Sequence, residues 1–228
     1  MSKTIIVTGA SRGIGLSIVK QFSKEKENTI YALSRNIDLM NRSFKEFENV
    51  HPLKIDLSEN LDRQLAGLIK EIKEVDILIN NAGVLIKKPF NEITQEDLLL
   101  SYQTNVFSVI KIVQLLLSKF KTNAHILNIS SMGAFQGSVK FPELISYSSS
   151  KAALCNFTEA FAEEHKNKKI NMNCLCLGAV QTEMLNEAFP GYKAQVSSDE
   201  MADYICDFAK NGQQYFNGKI IPVSLSTP

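Results

Sequence analysis

Tyr147 and Lys151 are the residues whose types and spacing most directly suggest chemistry. They are four positions apart, which places a phenol and an ammonium on one face of a helix. A free tyrosine has a pKa of about 10 and exchanges protons poorly at neutral pH. Because a nearby cation favours the phenolate, we expect Lys151 to lower the pKa of Tyr147 toward the working range of an acid–base catalyst. On its own, the pair is also typical of a solvated helix face.

Two polar residues elsewhere in the chain could complete such a site. Ser131 ends an apolar segment, and its hydroxyl could donate a hydrogen bond to a carbonyl oxygen or simply belong to a serine turn. Asn105 lies inside a long apolar helical pattern, where asparagine is unfavourable. Its amide could bend that helix and hold a water molecule near Lys151, or it could be an ordinary surface amide.

A glycine-rich turn near the N-terminus indicates a phosphate-binding loop. Gly9, Gly13 and Gly15 have the spacing Gly-x-x-x-Gly-x-Gly, after an apolar run and before a segment with helical periodicity. Glycine lets the backbone turn sharply and approach a pyrophosphate, and the helix N-terminus attracts that anion. The order strand, glycine turn and helix therefore predicts a dinucleotide site, although a tight strand-to-helix connection has the same pattern.

Two arginines and a missing acid indicate which dinucleotide is bound. The second predicted strand ends at Ser34 and Arg35, where NAD-binding proteins commonly place an acid for the ribose hydroxyls, and Asp38 comes too late to replace it. Arg35 could bind the 2′-phosphate of NADP through its planar guanidinium, with Arg12 approaching from the glycine loop. We therefore expect NADP (NADPH) as the coenzyme, although either arginine alone could be a solvated surface charge.

The elements that must position these residues alternate along the whole chain. Seven β-rich apolar runs are separated by helical patterns, which predicts an α/β fold with a doubly wound parallel sheet of about seven strands and helices on both faces. We expect Ser58 to cap a helix to about Lys73, and Thr94 to cap a long helix to Phe120. Ligands bind such sheets beyond the carboxyl ends of the strands. The residues predicted there include Gly9, Arg35, Asp56, Asn80, Ser131 and Gly178.

Composition excludes several classes of partner. Of the 228 residues, 44% are hydrophobic, and the formal net charge of +1 gives no basic excess for nucleic acid. The most apolar later stretch, 106–117, is interrupted by polar residues and is too short to span a membrane. With no room for a signal peptide before the first strand, we expect a cytoplasmic protein without a membrane partner.

The four cysteines do not suggest a disulfide framework or a metal site. Cys155 and Cys206 lie in helical patterns, whereas Cys174 and Cys176 alternate along a strand and share one face. No histidine lies near that pair in the sequence to complete a metal site. We interpret all four as buried free thiols.

The motifs together resemble those of the short-chain dehydrogenase/reductase family. They are Thr8-Gly-x-x-x-Gly-x-Gly15, Asn80-Asn-Ala-Gly83, Asn105, Ser131 and Tyr147-x-x-x-Lys151, and the match extends from residue 4 to about 223. The resemblance implies a single-domain Rossmann fold over residues 1–228. Its cofactor-binding half would be about 1–122, and its catalytic and substrate half about 123–228.

The resemblance also implies hydride transfer with a nicotinamide cofactor. It assigns Tyr147 as proton donor or acceptor, Ser131 as the residue that orients the carbonyl, and Lys151 as ribose ligand and tyrosine activator. Asn105 would anchor the water of a proton relay. The implied cofactor-binding residues are Gly9, Ser11, Arg12, Gly13, Ile14, Gly15, Ser34, Arg35, Asp56, Leu57, Asn81, Ala82, Gly83, Tyr147, Lys151, Gly178, Val180 and Thr182.

The sequence thus predicts an oxidoreductase that interconverts a small-molecule carbonyl compound and an alcohol with NADP(H). The alternative is a non-catalytic NAD(P)-binding regulatory or signalling protein, which would be expected to lose Tyr147 or Lys151. Leu177 replaces the proline that the family has before Gly178. Val139–Glu143 lengthens the segment between Ser131 and Tyr147 relative to the family's usual spacing. The substrate depends on the loops 132–146 and 183–197, whose shapes the sequence does not give.

The segment Leu98–Phe120 has more apolar residues than one sheet-facing stripe requires. The apolar residues are Val106, Phe107, Val109, Ile110, Val113, Leu116 and Leu117. We expect a homodimer or homotetramer whose two-fold interface uses this helix and the helix Tyr147–Glu164, as the family resemblance also implies. A fully buried core helix would have the same composition.

Overall fold

A seven-stranded parallel sheet forms the centre of the molecule in the computed structural model, which describes residues 2–225. The strands are β1 (Thr4–Thr8), β2 (Thr29–Ser34), β3 (Val50–Lys54), β4 (Val75–Asn80), β5 (Phe120–Ser131), β6 (Asn171–Leu177), β7 (Val180–Gln181), β8 (Val196–Ser197) and β9 (Ile220–Val223). The spatial order is β3-β2-β1-β4-β5-β6-β9, while β7 and β8 form a separate pair. The predicted doubly wound sheet is confirmed.

Helices cover both faces of the sheet. They are α1 (Gly13–Ser23), α2 (Ile37–Ser43), α3 (Leu61–Glu71), α4 (Gln95–Tyr102), α5 (Ser108–Leu116), α6 (Ile145–Glu164), α7 (Glu183–Ala188) and α8 (Ser198–Asn211). α1, α2 and α8 pack on one face, and α3, α5 and α6 on the other. Alternate residues of β1 supply the two cores, since Ile5 and Val7 point to one and Ile6 to the other.

Two predicted helix ends are wrong. Thr94 caps α4 through a capping box with Asp97, as predicted, but α3 is capped by Asn60 because Ser58 donates to the Asp56 carboxylate instead. The helix predicted to reach Phe120 ends at Leu116. Parallel pairing of β5 with β4 overrides the helical pattern there, since Phe120 lies opposite Val75 in the sheet.

Most of the apolar residues proposed for an interface face the core instead. Val106, Val109, Val113 and Leu116 are at most 5% exposed, so the surplus of apolar residues reflects burial. The exposed apolar side chains of this segment are Leu98, Leu99, Leu100 and Phe107. By length and composition alone, Gln95–Leu116 would be long enough to cross a membrane, a test that core helices also pass.

Candidate active site

The glycine loop after β1 is pressed against the segment that follows β4. Gly9 and Gly13 have φ of 68° and 52°, which L side chains rarely adopt. A Cβ at Gly9 would lie 2.7 Å from the Cα of Ala82, and one at Gly15 would overlap the carbonyl oxygen of Gly9. Only glycine fits these positions, so the loop presents bare backbone at the carboxyl edge of the sheet.

Thr8 and Asn81 fasten this loop. The Thr8 hydroxyl oxygen accepts hydrogen bonds from the backbone N–H groups of Asn81 and Ala82, both at 3.1 Å. The Asn81 side chain donates to the carbonyl oxygens of Thr8 and Gly9 at 3.1 and 3.3 Å. Thr8 directly precedes the first glycine, but its role in holding residues 81 and 82 was not predicted.

The glycine loop and the N-terminus of α1 form a backbone cradle that fits the pyrophosphate of a dinucleotide. The N-terminus of α1 begins at Gly13, and its N-cap Arg12 has an extended backbone and forms no side-chain capping bond. The first-turn N–H groups of a helix lack partners within the helix and favour an anion. Gly15 lies in this turn and Ser11 directly precedes the N-cap, while Ile14 is partly buried and packs against the core.

The end of β2 lies next to the glycine loop, as predicted. The Ser34 hydroxyl donates to the Ser11 hydroxyl at 2.8 Å, and Arg35 is exposed beside it. Burial raises the pKa of Asp56, but hydrogen bonds from Ser58 and the charge of Arg35 outweigh it, so the pKa lies below its ordinary value. Leu57 is a buried core residue, so its side chain faces away from this edge.

Arg12 does not point freely toward the predicted ribose region. Its guanidinium binds both carboxylate oxygens of Glu187 on α7, at 2.5 and 3.2 Å. Thr182 caps α7, and its methyl group lies 3.3 Å from where a Gly13 Cβ would be. α7 therefore lies across the glycine loop, an arrangement that the sequence could not reveal because the partners are far apart along the chain.

Gly178 and Val180 lie at the end of β6 but are turned toward other parts of the structure. The Gly178 N–H donates to the Val223 carbonyl at 2.9 Å, and a Cβ at Gly178 would overlap the Ser224 hydroxyl. Val180 is buried in β7. Of the three residues predicted in this segment, Thr182 lies nearest the glycine loop.

Ser131 and Tyr147 meet at the carboxyl end of β5. The Ser131 side chain lies close enough to the Tyr147 phenol to lower its pKa, and the Ser131 hydroxyl oxygen accepts the N–H of Gly133 at 3.2 Å. Burial raises the pKa of Tyr147 to about 12, and the nearby Ser131 hydroxyl offsets only part of that increase. Lys151 is not among the groups that shift this pKa, so the predicted lowering by Lys151 is not found.

Lys151 is 3% exposed, and its ammonium donates to the Ile129 carbonyl at 2.8 Å. Burial lowers the pKa of Lys151 to about 8. A Cβ at Gly83 would lie 3.2 Å from its Nζ and 3.3 Å from Oδ1 of Asn105. The sequence-predicted motifs around Gly83, Asn105 and Lys151 are therefore brought together.

Asn105 lies in a π-helical turn, Gln103–Phe107, between α4 and α5. Its side chain accepts from Val84 N–H at 2.8 Å and donates to Val84 O at 3.0 Å and to the Ser150 hydroxyl at 2.9 Å. The helix is locally π-helical at Asn105, whereas the bend and the role in holding water remain predictions. Ser150, which links Asn105 to the backbone of Tyr147, was missed.

All four cysteines are buried and free, as interpreted from the sequence. The sequence did not show that Cys155 on α6 faces Cys174 and Cys176 on β6, because no local pattern connects the helix with the strand.

The site as a whole combines a phenol, a hydroxyl donor and a buried amine next to a backbone cradle for an anion. That combination can exchange a proton with an oxygen atom held beside a bound dinucleotide.

Comparisons with known proteins agree with this geometry. The family model described as short chain dehydrogenase matches residues 3–193. The chain is 26% identical over 242 residues to the 3-oxoacyl-(acyl-carrier-protein) reductase FabG of Chlamydia trachomatis, covering 98% of this chain and 96% of that protein. It is 26% identical over 252 residues to a diacetyl reductase ((S)-acetoin forming) of Staphylococcus epidermidis, covering 97% and 96%.

The likeness extends to solved structures. The 3-ketoacyl-(acyl-carrier-protein) reductase from Brucella melitensis, complexed with NADH, superposes with a TM-score of 0.85 at 24% identity. The match covers 97% of this chain and 96% of that one. At this identity the likeness concerns the fold.

Proposed function

The chain belongs to the short-chain dehydrogenase family, and from that premise we propose that it is an NADP(H)-dependent oxidoreductase that interconverts a small-molecule carbonyl compound and an alcohol. The observation that carries the proposal is the meeting of Ser131, Tyr147 and Lys151 at the sheet edge that also holds the glycine cradle. When bound, the nicotinamide supplies or accepts the hydride. We propose a cytoplasmic location as well.

Ser131 and Tyr147 act on the substrate oxygen. The Ser131 hydroxyl donates a hydrogen bond that orients the carbonyl, and the phenol of Tyr147 donates its proton to the same oxygen during reduction. With a pKa of about 12, Tyr147 is protonated at neutral pH, so the proton for reduction is in place. Oxidation of an alcohol needs the phenolate, and we expect its rate to rise with pH.

Lys151 and Asn105 support this proton transfer. The buried ammonium of Lys151 would hold the nicotinamide ribose hydroxyls, since it lies beside the backbone of Gly83 at the cradle. Asn105, fixed by Val84 and Ser150, keeps the π-helical turn next to the ammonium. Their positions support a proton path through Lys151 that returns a proton to Tyr147 after reduction of the substrate.

NADP(H) preference rests on the end of β2. Arg35 is exposed and directly follows Ser34, so β2 ends without the acid that NAD-binding proteins commonly place there. Arg12 is paired with Glu187, so its contribution requires that pair to separate. Arg35 is therefore the main determinant that we propose for the 2′-phosphate.

A turnover screen tests the function. We expect oxidation of NADPH in the presence of members of a panel of ketones, diketones, quinones and pterin-like compounds, with kcat/KM well above that for NADH. Comparable kcat/KM values for the two coenzymes would refute the preference. Absence of coenzyme binding by calorimetry, together with no turnover, would refute the enzymatic assignment.

Replacement of Arg35 tests the coenzyme determinant separately. We expect Arg35→Ala to raise KM for NADPH roughly tenfold or more, because a charge-assisted hydrogen bond is lost, while KM for NADH barely changes. Added salt should reduce the difference. Arg42→Ala, at an exposed position on α2, is the matched control and should leave both KM values unchanged.

We also propose that the protein assembles through α4 to α6. The exposed side chains of Leu98, Leu99, Leu100 and Phe107, at 39–55% exposure, are apolar residues available for a two-fold contact. Sedimentation at micromolar concentration should show a dimer or tetramer. A monomer alone would contradict this proposal without touching the assigned chemistry.

A further inference from the structure

Three thiols converge on the inner side of α6. Cys174 and Cys176 are two positions apart on β6 and share one face, and Cys155 approaches both from the helix. The Sγ atom of Cys155 lies 3.8 Å from that of Cys174 and 3.7 Å from that of Cys176. All three sulfur atoms lie within 4.8 Å of one another.

This thiol cluster continues the catalytic face of the helix. Tyr147, Lys151 and Cys155 are spaced four residues apart, so they lie on one stripe of α6. Ser130 links the stripe to the sheet, because its hydroxyl donates to the Lys151 carbonyl at 3.1 Å and lies 3.5 Å from Sγ of Cys155. Met132 packs against the same thiols.

The spacing of the sulfurs suits a metal ion. Three atoms with these separations lie on a circle of radius roughly 2.4 Å or less, and a Zn–thiolate bond is about 2.3 Å long. Thiols that are merely packed also touch at such distances. A pair in contact would be explained by packing alone, whereas three sulfurs around one centre also match the donor set of a thiolate metal site.

The Lys151 ammonium can balance the charge of a cluster of three thiolates and one divalent cation. Lys151 lies near enough to Cys155, Cys174 and Cys176 that their thiolate forms would stabilise its ammonium. Three thiolates and one divalent ion leave a single negative charge, and the Lys151 ammonium balances it. Without such balance, a charged cluster at this depth would be strongly disfavoured.

We propose that Cys155, Cys174 and Cys176 form a binding site for a thiophilic divalent cation, with Zn²⁺ as the natural occupant. Binding forms three metal–sulfur bonds and releases the three thiol protons to solvent, without any redox change. The Ser130 hydroxyl oxygen, 3.5 Å from Sγ of Cys155, is a candidate for the fourth ligand of the ion. The bound ion ties α6 to β6 one turn beyond Lys151.

The metal has to enter before the fold closes, because the exposures of Cys155, Cys174 and Cys176 are 8%, 0% and 0%. The test therefore uses the reduced full-length chain, refolded from denaturant with equimolar Zn²⁺ or with a chelator. Bound zinc is measured by mass spectrometry after desalting. A parallel refolding with Cd²⁺ reports thiolate ligation through its near-ultraviolet charge-transfer absorption.

Cys155→Ser and Cys206→Ser are the matched variants. Cys206 is equally buried but lies on α8, where its thiol approaches the Ile18 carbonyl, away from the cluster. We expect one Zn²⁺ per chain in the natural protein and in Cys206→Ser. Cys155→Ser should weaken binding by at least the roughly 10–100-fold that loss of an outer-shell partner costs a metal site.

Thermal unfolding gives a second readout. Zn²⁺ should raise Tm of the natural protein and of Cys206→Ser but not of Cys155→Ser, since binding to the folded state alone stabilises it. If Cys155→Ser does not refold, Cys176→Ala takes its place. No bound zinc, equal binding by the cluster variant, or a disulfide in place of metal would each overturn the proposal. None of these readouts depends on the proposed enzymatic function.

Discussion

The floor and the cover of the candidate site are held by different kinds of contact. The floor is the glycine loop with residues 81–83, where backbone atoms lie in direct contact and Thr8 and Asn81 bond buried backbone groups. The cover is α7, held by the ion pair Arg12–Glu187, whose side chains are 46% and 61% exposed. Lys87 adds a contact 4.8 Å above the ring of Phe189, just beyond α7.

This difference teaches which part of the site can move. Exposed ion pairs contribute little because water and salt compete for both charges. Backbone contacts at the floor cannot be separated without exposing unpaired polar groups. We therefore expect the floor to be fixed and the cover to open at small cost, which suits a site that must admit and release a large coenzyme.

The largest effect should come from a change that alters neither floor nor cover. We expect Tyr147→Phe to lower kcat by ~10²–10⁴, because the proton donor is removed while the ring still packs. Coenzyme affinity, measured by fluorescence titration, should be nearly unchanged. Lys151→Ala should instead lose both kcat and coenzyme affinity. A kcat for Tyr147→Phe within a few-fold of the natural enzyme would rule out the assigned role.

Acid should lower the free energy of unfolding through a buried histidine, His125. His125 is buried, donates from Nδ1 to the Ala209 carbonyl at 3.0 Å, and accepts from Asn173 at 3.0 Å. Burial lowers its pKa from 6.5 to about 4. Its stabilising contribution is therefore present above pH 6.5 and is lost as pH falls toward 4, by at most about 3 kcal/mol.

Denaturant unfolding at several pH values measures this loss. His125→Gln should flatten the dependence of the free energy of unfolding on pH between pH 6.5 and 4. His51→Gln, at an exposed position, is the control and should leave that dependence unchanged. The hydrogen bond from Arg12 keeps the pKa of Glu187 below its ordinary value, so the Arg12–Glu187 pair should be less sensitive to acid than an unpaired glutamate. Equal slopes for His125→Gln and the natural protein would contradict this account.

A methyl group added to the floor should be far more harmful than one added elsewhere. In Gly15→Ala the new Cβ would overlap Gly9 O, so we expect about 1–3 kcal/mol of destabilisation and weaker coenzyme binding. Gly67→Ala is the matched control, since no atom lies within 4 Å of that Cβ in α3. It should stabilise the protein by roughly 0.5–1 kcal/mol. Similar unfolding midpoints for the two variants would show that the floor is not rigid.

The smallest effect should come from releasing the cover. Glu187→Gln frees Arg12, so we expect a slightly lower KM for NADPH, an unchanged KM for NADH, and faster proteolysis near α7. High salt should remove the difference between variant and natural protein. A change in kcat/KM of about tenfold or more would mean that the cover is held as firmly as the floor.

The sequence was sufficient for features that depend on local pattern. Thr94 and Asp97 form the capping box that their spacing predicts, and the strand-ending residues Gly9 and Ser131 lie at one sheet edge. Tyr147 and Lys151 share a helix face as expected, because helical spacing fixes that relation. These features need no knowledge of which distant residues pack together.

Features that depend on distant partners could not be predicted. The pKa of Tyr147 depends on how deeply packing buries the phenol, which no spacing reveals. Arg12 is bound by Glu187, and Cys155 faces two thiols of β6, through contacts between segments far apart in the chain. Ser58 was assigned as a cap on residue type alone, whereas Asn60 lies at the position whose side chain reaches the N–H of Arg63.

The interior position of β1 in the sheet, between β2 and β4, has a consequence for how the chain folds. This strand is made first, yet it pairs with β2 and β4, so that Thr4 meets Thr29 and Ile5 meets Ile77. Every pairing in the sheet joins segments separated by a crossover, which makes folding slow. During synthesis β1 waits with its β4 edge unpaired until the chain has grown past residue 80. We expect the nascent chain to depend on protection from aggregation during that interval.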